Sequence, residues 1–242
     1  MLVRRCLTRS VAAALIVVAA CSTPTDTTVD VYAASSLTDA FGQLETSFEA
    51  ENPGVDIRLN LAGSNALQRQ ILDGAGADVF APADLGLLDG VADHVVGEGA
   101  VYASNRLTMV VPAGVDGPVR SPADLTVAGV LVARCAAGVP CGDATDRYLA
   151  TSGLSLAQST DEPNVRAVLL KVARGEADAG FVYATDALVR PADVAEIALP
   201  GAPTVDLAVA LLSDDADAEA FARYVTSAAA GDIFRNLGFV VP

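Results

Sequence analysis

The sequence predicts an α/β protein built from mostly parallel sheets flanked by helices. Three observations carry this. Short runs rich in Val, Leu and Ala alternate with segments whose apolar residues recur at spacings of three and four. That is the β-α-β rhythm of a parallel sheet covered by helices. The chain has 242 residues and is 52% hydrophobic, enough for one large domain or two small ones with ample core. Two apolar strands far apart in sequence, 107–111 and 205–212, are candidates to cross between two lobes. Trp is absent and aromatics are only 5%, so Ala, Val, Leu and Ile are expected to build the core.

The N-terminus reads as an export signal. Arg4, Arg5 and Arg9 precede an apolar run at 11–20, and Val18-Ala19-Ala20-Cys21 has the form of a lipobox. The run is shorter than the roughly 20 apolar residues that span a membrane. Residues 1–20 are therefore expected to be a signal peptide, with lipid on Cys21. The alternatives are an uncleaved anchor or a plain signal. Residues 21–28 contain a Ser, Thr and Pro-rich stretch suited to a tether. Loss of residues 1–20 removes three arginines and no acid, taking the formal charge from −15 to −18. So acidic a domain is a poor partner for nucleic acid, and at first sight for an anion too.

Residues 29–33 read as a buried strand. Phe41, Leu44 and Phe48 define an amphipathic helix over 37–49, closed by the turn Asn52-Pro53-Gly54. Residues 55–61 alternate as a half-buried strand. Leu67 and Ile71 mark a helix over 66–72, followed by a short strand at 78–81 and a helical stretch at 85–91. Strands are expected at 107–111, 126–132, 180–183, 194–199 and 205–212, and helices at 145–151, 162–174 and 216–228. His94 beside Asp93 reads as exposed and without a role. The exported cysteines left are Cys135 and Cys141. A disulfide is expected between them in an oxidising compartment, contributing about 2 kcal/mol through chain entropy. Free buried thiols or a redox pair are the alternatives, although the spacing is not that of a C-x-x-C motif.

Four helix starts share one design: a strand end, a short turn, then small or hydroxyl residues. They are Ser36-Leu37-Thr38-Asp39, Gly63-Ser64-Asn65, Pro140-Cys141-Gly142-Asp143 and Glu162-Pro163-Asn164-Val165. First-turn N–H groups lack intrahelical partners, and the helix dipole favours negative charge there. Several converging starts can hold an anion without Lys or Arg, which removes the conflict with the acidic charge. Each serine also reads as an ordinary N-cap worth about 1 kcal/mol, so the pattern alone names no ligand. The chain has no P-loop, no G-x-S-x-G and no metal-spaced His/Cys cluster. An enzyme with a hidden carboxylate pair and an adhesion module without ligand are the rival classes.

At these residues the chain resembles the periplasmic molybdate-binding proteins of ABC transporters. Ala33-Ala34-Ser35-Ser36-Leu37-Thr38-Asp39-Ala40 is similar to the family's A-A-S-L-T-x-A opening. Ala62-Gly63-Ser64-Asn65-Ala66-Leu67 resembles its second serine loop, and 76–84 its G-A-P-A-D-x-F-x-S-A-D segment. Val139-Pro140-Cys141-Gly142 resembles V-P-A-G. Val165-Arg166 with 180–187 resembles the late V-R and G-I-V-Y-x-S-D-A pair, and 233–239 the closing I-F-x-x-x-G-F. These fragments run in order across nearly the whole mature chain.

The resemblance implies a two-lobed periplasmic-binding-protein-like fold. Each lobe would be a mostly parallel sheet flanked by helices, with the ligand in the interlobe cleft. Lobe 1 would hold 29–107 plus 208–242, and lobe 2 would hold 108–207. Molybdate, and by near-isosterism tungstate, would be bound by Ser36 and Ser64 through hydroxyl and backbone N–H. Cys141 and Val165 would bind through backbone N–H and Tyr183 through its phenol. By itself, Tyr183 after a strand also reads as a core residue with a satisfied hydroxyl. Cys141 stands where the family commonly has Ala, and Gly63 and Asn65 depart from its serine loop. The implied protein is no enzyme, needs no cofactor and acts as a monomer tethered outside the membrane by lipid on Cys21. It would hand its ligand to an ABC permease and ATPase. Sulfate, thiosulfate or another small oxyanion is the alternative ligand.

Overall fold

The computed structural model describes residues 27–114 and 116–242. The expected signal, the lipobox and Cys21 lie outside them. Strand β1 (Thr27–Ala34) begins inside the stretch expected as tether, because Thr27 and Thr28 pair with Val55 and Asp56 of β2 (Val55–Ala62). Between them runs α1 (Thr38–Glu51), preceded by a 3-10 turn over Ser35–Leu37. Helix α2 (Ser64–Leu72) and β3 (Val79–Ala81) follow. The helix expected at 85–91 is two 3-10 segments, Leu85–Leu87 and Asp89–His94, and His94 is exposed.

Strand β4 (Val96–Pro112) is far longer than the expected 107–111. Its first ten residues are mostly exposed and lack alternation, so they carry no strand signal, yet β9 (Thr204–Leu211) pairs along them. The strand expected at 126–132 is displaced. A 3-10 segment at Pro122–Thr126 and a turn at Gly129 (φ 92°) delay β5 to Leu131–Cys135. Helix α3 (Pro140–Ser152) starts at its proline, earlier than 145. Strand β6 (Gln158–Glu162), α4 (Val165–Ala173), β7 (Ala179–Tyr183), α5 (Ala184–Val189) and β8 (Val194–Ile197) follow. The helix expected at 216–228 is two, α6 (Ala216–Val225) and α7 (Ala228–Asn236). The break comes where Ser227 turns its hydroxyl to the Ala230 N–H.

The sheet order is β2-β1-β3-β9-β4-β7-β5-β6, with β8 beside β4. Three parallel strands stand at each end, β2-β1-β3 and β7-β5-β6, and antiparallel β9 and β4 join them. β4 belongs to both halves: Val96–Arg106 pair with β9, and Leu107–Pro112 pair with β7 and β8. Central strands β3 and β7 are buried throughout, as helices on both faces require. Aliphatic side chains dominate the core, as expected, but the aromatics gather in the first half. There Phe41, Phe48, Phe221 and Tyr224 tie α1 to α6, and Tyr102 with Phe234 and Phe239 ties β4 to the C-terminal segment. Each such pair adds roughly 0.5–1.5 kcal/mol beyond its buried area.

Among the described residues, no helix is long and apolar enough to cross a membrane, and no group of His, Cys, Asp or Glu could hold a metal ion.

Candidate functional site

The carboxyl ends of the two parallel strand sets face one another. Ligands of open α/β sheets gather at such ends, because each strand hands over to a helix whose N–H groups point outward. Ser35 and Ser36 follow β1, Gly63 and Ser64 follow β2, and Ala83 follows β3. From the other half come Val139, Pro140 and Cys141 after β5, Asn164 and Val165 after β6, and Tyr183 at the end of β7. Together they wall a small chamber, and no Lys, Arg, Asp or Glu lines it. All five residues singled out in the sequence meet there: Ser36, Ser64, Cys141, Val165 and Tyr183. Each is at most 3% exposed.

The halves touch above the chamber. A Cβ on Gly63 would come within 2.4 Å of the Pro163 carbonyl, so only glycine allows this approach. A Cβ on Gly142 would lie 2.1 Å from the Ala136 carbonyl, which packs the start of α3 against the loop leaving β5. The same loop carries a bond between Cys135 and Cys141, whose Cα atoms are 5.7 Å apart.

The polar groups of the chamber are donors without acceptors. No side chain caps α1, α2 or α3, and the first-turn N–H groups of Ser64, Cys141 and Val165 meet no acceptor among the described residues. Ser36 and Ser64 are therefore not N-caps. Asn164 does cap α4, but its Oδ1 goes to the Ala167 N–H and leaves Val165 free. The Ser36 Oγ and the Tyr183 hydroxyl are buried with no hydrogen-bond partner among the described residues. A buried polar group left this way costs roughly 1–3 kcal/mol, and Ser36 and Tyr183 are the two such groups that line the chamber, where both can donate to a guest. Ser64 Oγ accepts the Ala83 N–H at 3.1 Å, and its own proton remains to be donated. Burial, and then the carboxylates of Asp186 and Asp84, push the Tyr183 phenol far up, so it stays protonated and can only donate to an anion.

Behind the chamber, Asp186 is wholly buried and accepts the Tyr183 N–H at 3.2 Å. Burial pushes its pKa up to about 6, against the pull of Arg166, whose Nε is 2.8 Å from Oδ1. Sequence reasoning missed Ala83 and Asn164 as walls and Asp186 as a support. Asn164 had a signal, as an Asn just before an apolar helical stripe. Asn65, a departure noted in the sequence, is not a wall of the chamber, and its Oδ1 is buried and unpaired.

An α/β chain whose two sets of parallel strands surround a small, uncharged, donor-lined chamber has the construction of a solute-binding protein. The profile described as bacterial extracellular solute-binding protein matches residues 29–240, and the chain belongs to that family. It is 41% identical over 219 residues to the molybdate-binding protein ModA of Mycobacterium tuberculosis, covering 88% of this chain and 84% of that one. Its fold is similar to the periplasmic molybdate-binding protein of Azotobacter vinelandii, with a TM-score of 0.77, 21% identity, and 88% and 99% of the two chains covered. The sulfate-binding protein SubI of Mycobacterium tuberculosis matches with the same TM-score of 0.77, at 16% identity over 88% and 86%. Fold alone therefore does not separate one oxyanion from another.

Proposed function

We propose that the protein captures molybdate, and its near-isostere tungstate, outside the cytoplasm and delivers it to an ABC transporter. One observation carries this most. Two buried, unpartnered hydroxyls, Ser36 Oγ and Tyr183 OH, face a chamber edged by free helix N-termini and lined by no charged side chain. Such a site suits a compact anion with several acceptor oxygens, held by neutral donors. The 41% identity to a molybdate-binding relative favours molybdate over sulfate.

In this reading Ser36 and Ser64 donate hydroxyl and backbone N–H, Cys141 and Val165 donate backbone N–H, and Tyr183 donates its phenol O–H. Residues 29–107 with 208–242 form one lobe and 108–207 the other. The lobes close over the anion by hinge motion, because donors from both are needed to complete the shell. The Cys135–Cys141 disulfide holds the loop that presents the Cys141 N–H. The protein acts as a monomer, and a permease with its ATPase reads the closed form. Residues 1–20 serve as signal, and lipid on Cys21 tethers the domain outside the membrane.

Competition calorimetry tests the ligand. Molybdate and tungstate are expected to bind with similar affinity and sulfate far more weakly. Sulfate or thiosulfate displacing molybdate would assign the site to those anions instead.

A further inference from the structure

We infer that Arg166 is the latch of the cleft, a positioning residue that crosses from one half to the other and holds the closed form without touching the anion. This rests on reading the chamber as an oxyanion site.

Arg166 directly follows Val165 at the start of α4. Its Nη2 lies 2.6 Å from Asp39 Oδ2 and 3.5 Å from the Ser36 carbonyl. Both of those belong to the opposite half, on the segment running from β1 into α1. Its Nε forms an ion pair with Asp186 Oδ1 at 2.8 Å, without the alignment of a hydrogen bond, while the other oxygen of Asp186 accepts the Tyr183 N–H. One guanidinium therefore links three of the proposed donors: Val165 through the chain, Ser36 through its carbonyl, and Tyr183 through Asp186. Only Arg offers a planar fork that can serve two carboxylates and a carbonyl at once.

The two carboxylates have different parts. Asp186 is fully buried and sits on the same half as Arg166, so that pair travels with the half when the cleft opens. Asp39 has a side chain 42% exposed and comes from the other half, so its bond is the one that opening breaks. Arg166 and Asp39 also line an open pocket beside the chamber, where water can compete for them as the halves separate. The Asp186 pair pre-orients the guanidinium, and the Asp39 pair forms only on closure. A contact made only in the closed state lengthens the life of the complex and leaves first encounter unchanged.

The test measures molybdate association and dissociation rates by stopped flow on the purified protein, with small-angle scattering of the same samples. Asp39→Asn changes an exposed end of the latch and preserves the buried pair. It is expected to raise the dissociation rate on the order of tenfold, with association within about twofold. Asp39→Glu should recover part of the loss. High salt should speed dissociation of the unmodified protein more than that of Asp39→Asn. A dissociation rate unchanged in Asp39→Asn, or a loss confined to association, would overturn the latch. If the unmodified protein binds none of molybdate, tungstate and sulfate, the oxyanion reading fails by itself. Scattering of the proteins as purified then decides the latch: Asp39→Asn should be the more open, and identical curves refute it.

Discussion

Tyr183→Phe separates a ligand donor from a core tyrosine by moving two measurements in different directions. The hydroxyl is buried, has no partner among the described residues and stays protonated. If it donates to a bound anion, its removal costs a hydrogen bond to a charged group, about 1.5–3 kcal/mol. At 1.4 kcal/mol per decade that is roughly a 10- to 150-fold rise in Kd. The ring, which supplies the packing, is kept. Without ligand there is no protein hydrogen bond to lose, so stability should be unchanged or slightly higher. Calorimetry with molybdate gives the first quantity, and denaturant unfolding of the ligand-free protein gives the second. An unchanged Kd would remove Tyr183 from the shell. A fall in ligand-free stability as large as the loss of binding would make it a structural residue.

The two serines should behave differently. Ser36→Ala should lower affinity alone, whereas Ser64→Ala should also cost about 1 kcal/mol of stability because Ser64 Oγ accepts the Ala83 N–H; paired titrations and unfolding curves check this. Replacing Cys135 and Cys141 together by Ala should cost about 2 kcal/mol of stability. Most of the affinity should survive, since the Cys141 contact is a backbone N–H, and abolished binding in calorimetry would contradict that. Asp186 keeps its proton to about pH 6 in the folded chain, well above the ordinary range of an aspartate, because burial outweighs Arg166. Its contribution to stability is thus fully present below the ordinary aspartate pKa and is lost as pH rises through about 6. Asp186→Asn should therefore lose less stability than the unmodified protein as pH rises from about 4 to about 7. Parallel stability curves for the two would refute this.

The elements around the chamber were legible where pattern and burial agree. The apolar stripes of α1 and α4 and the buried runs of β1 and β7 announce themselves, and so do the helix starts after them. β6 was not legible. Its residues, Gln158-Ser159-Thr160-Asp161-Glu162, form a polar edge strand held only by β5, with no apolar face to show. The outer part of β4 was missed for the same reason, since pairing with β9 defines it. The division of α6 from α7 had a local signal in Ser227, hidden by the alanines that follow. For the site, sequence showed donors at helix starts, and the resemblance chose among them. It did not show that Ser36 and Tyr183 lack partners, because that depends on what the fold places around them. Nor did it join Arg166 to Asp39, a contact between residues 127 positions apart.

The most direct test of the central claim is anomalous diffraction at the molybdenum edge from crystals grown with molybdate. The expected result is one molybdenum in the chamber, with its oxygens at about 2.7–3.2 Å from the Ser36 and Tyr183 hydroxyls and the N–H groups of Ser64, Cys141 and Val165. A chamber without the anion, or the anion held instead by surface arginines, would contradict the account.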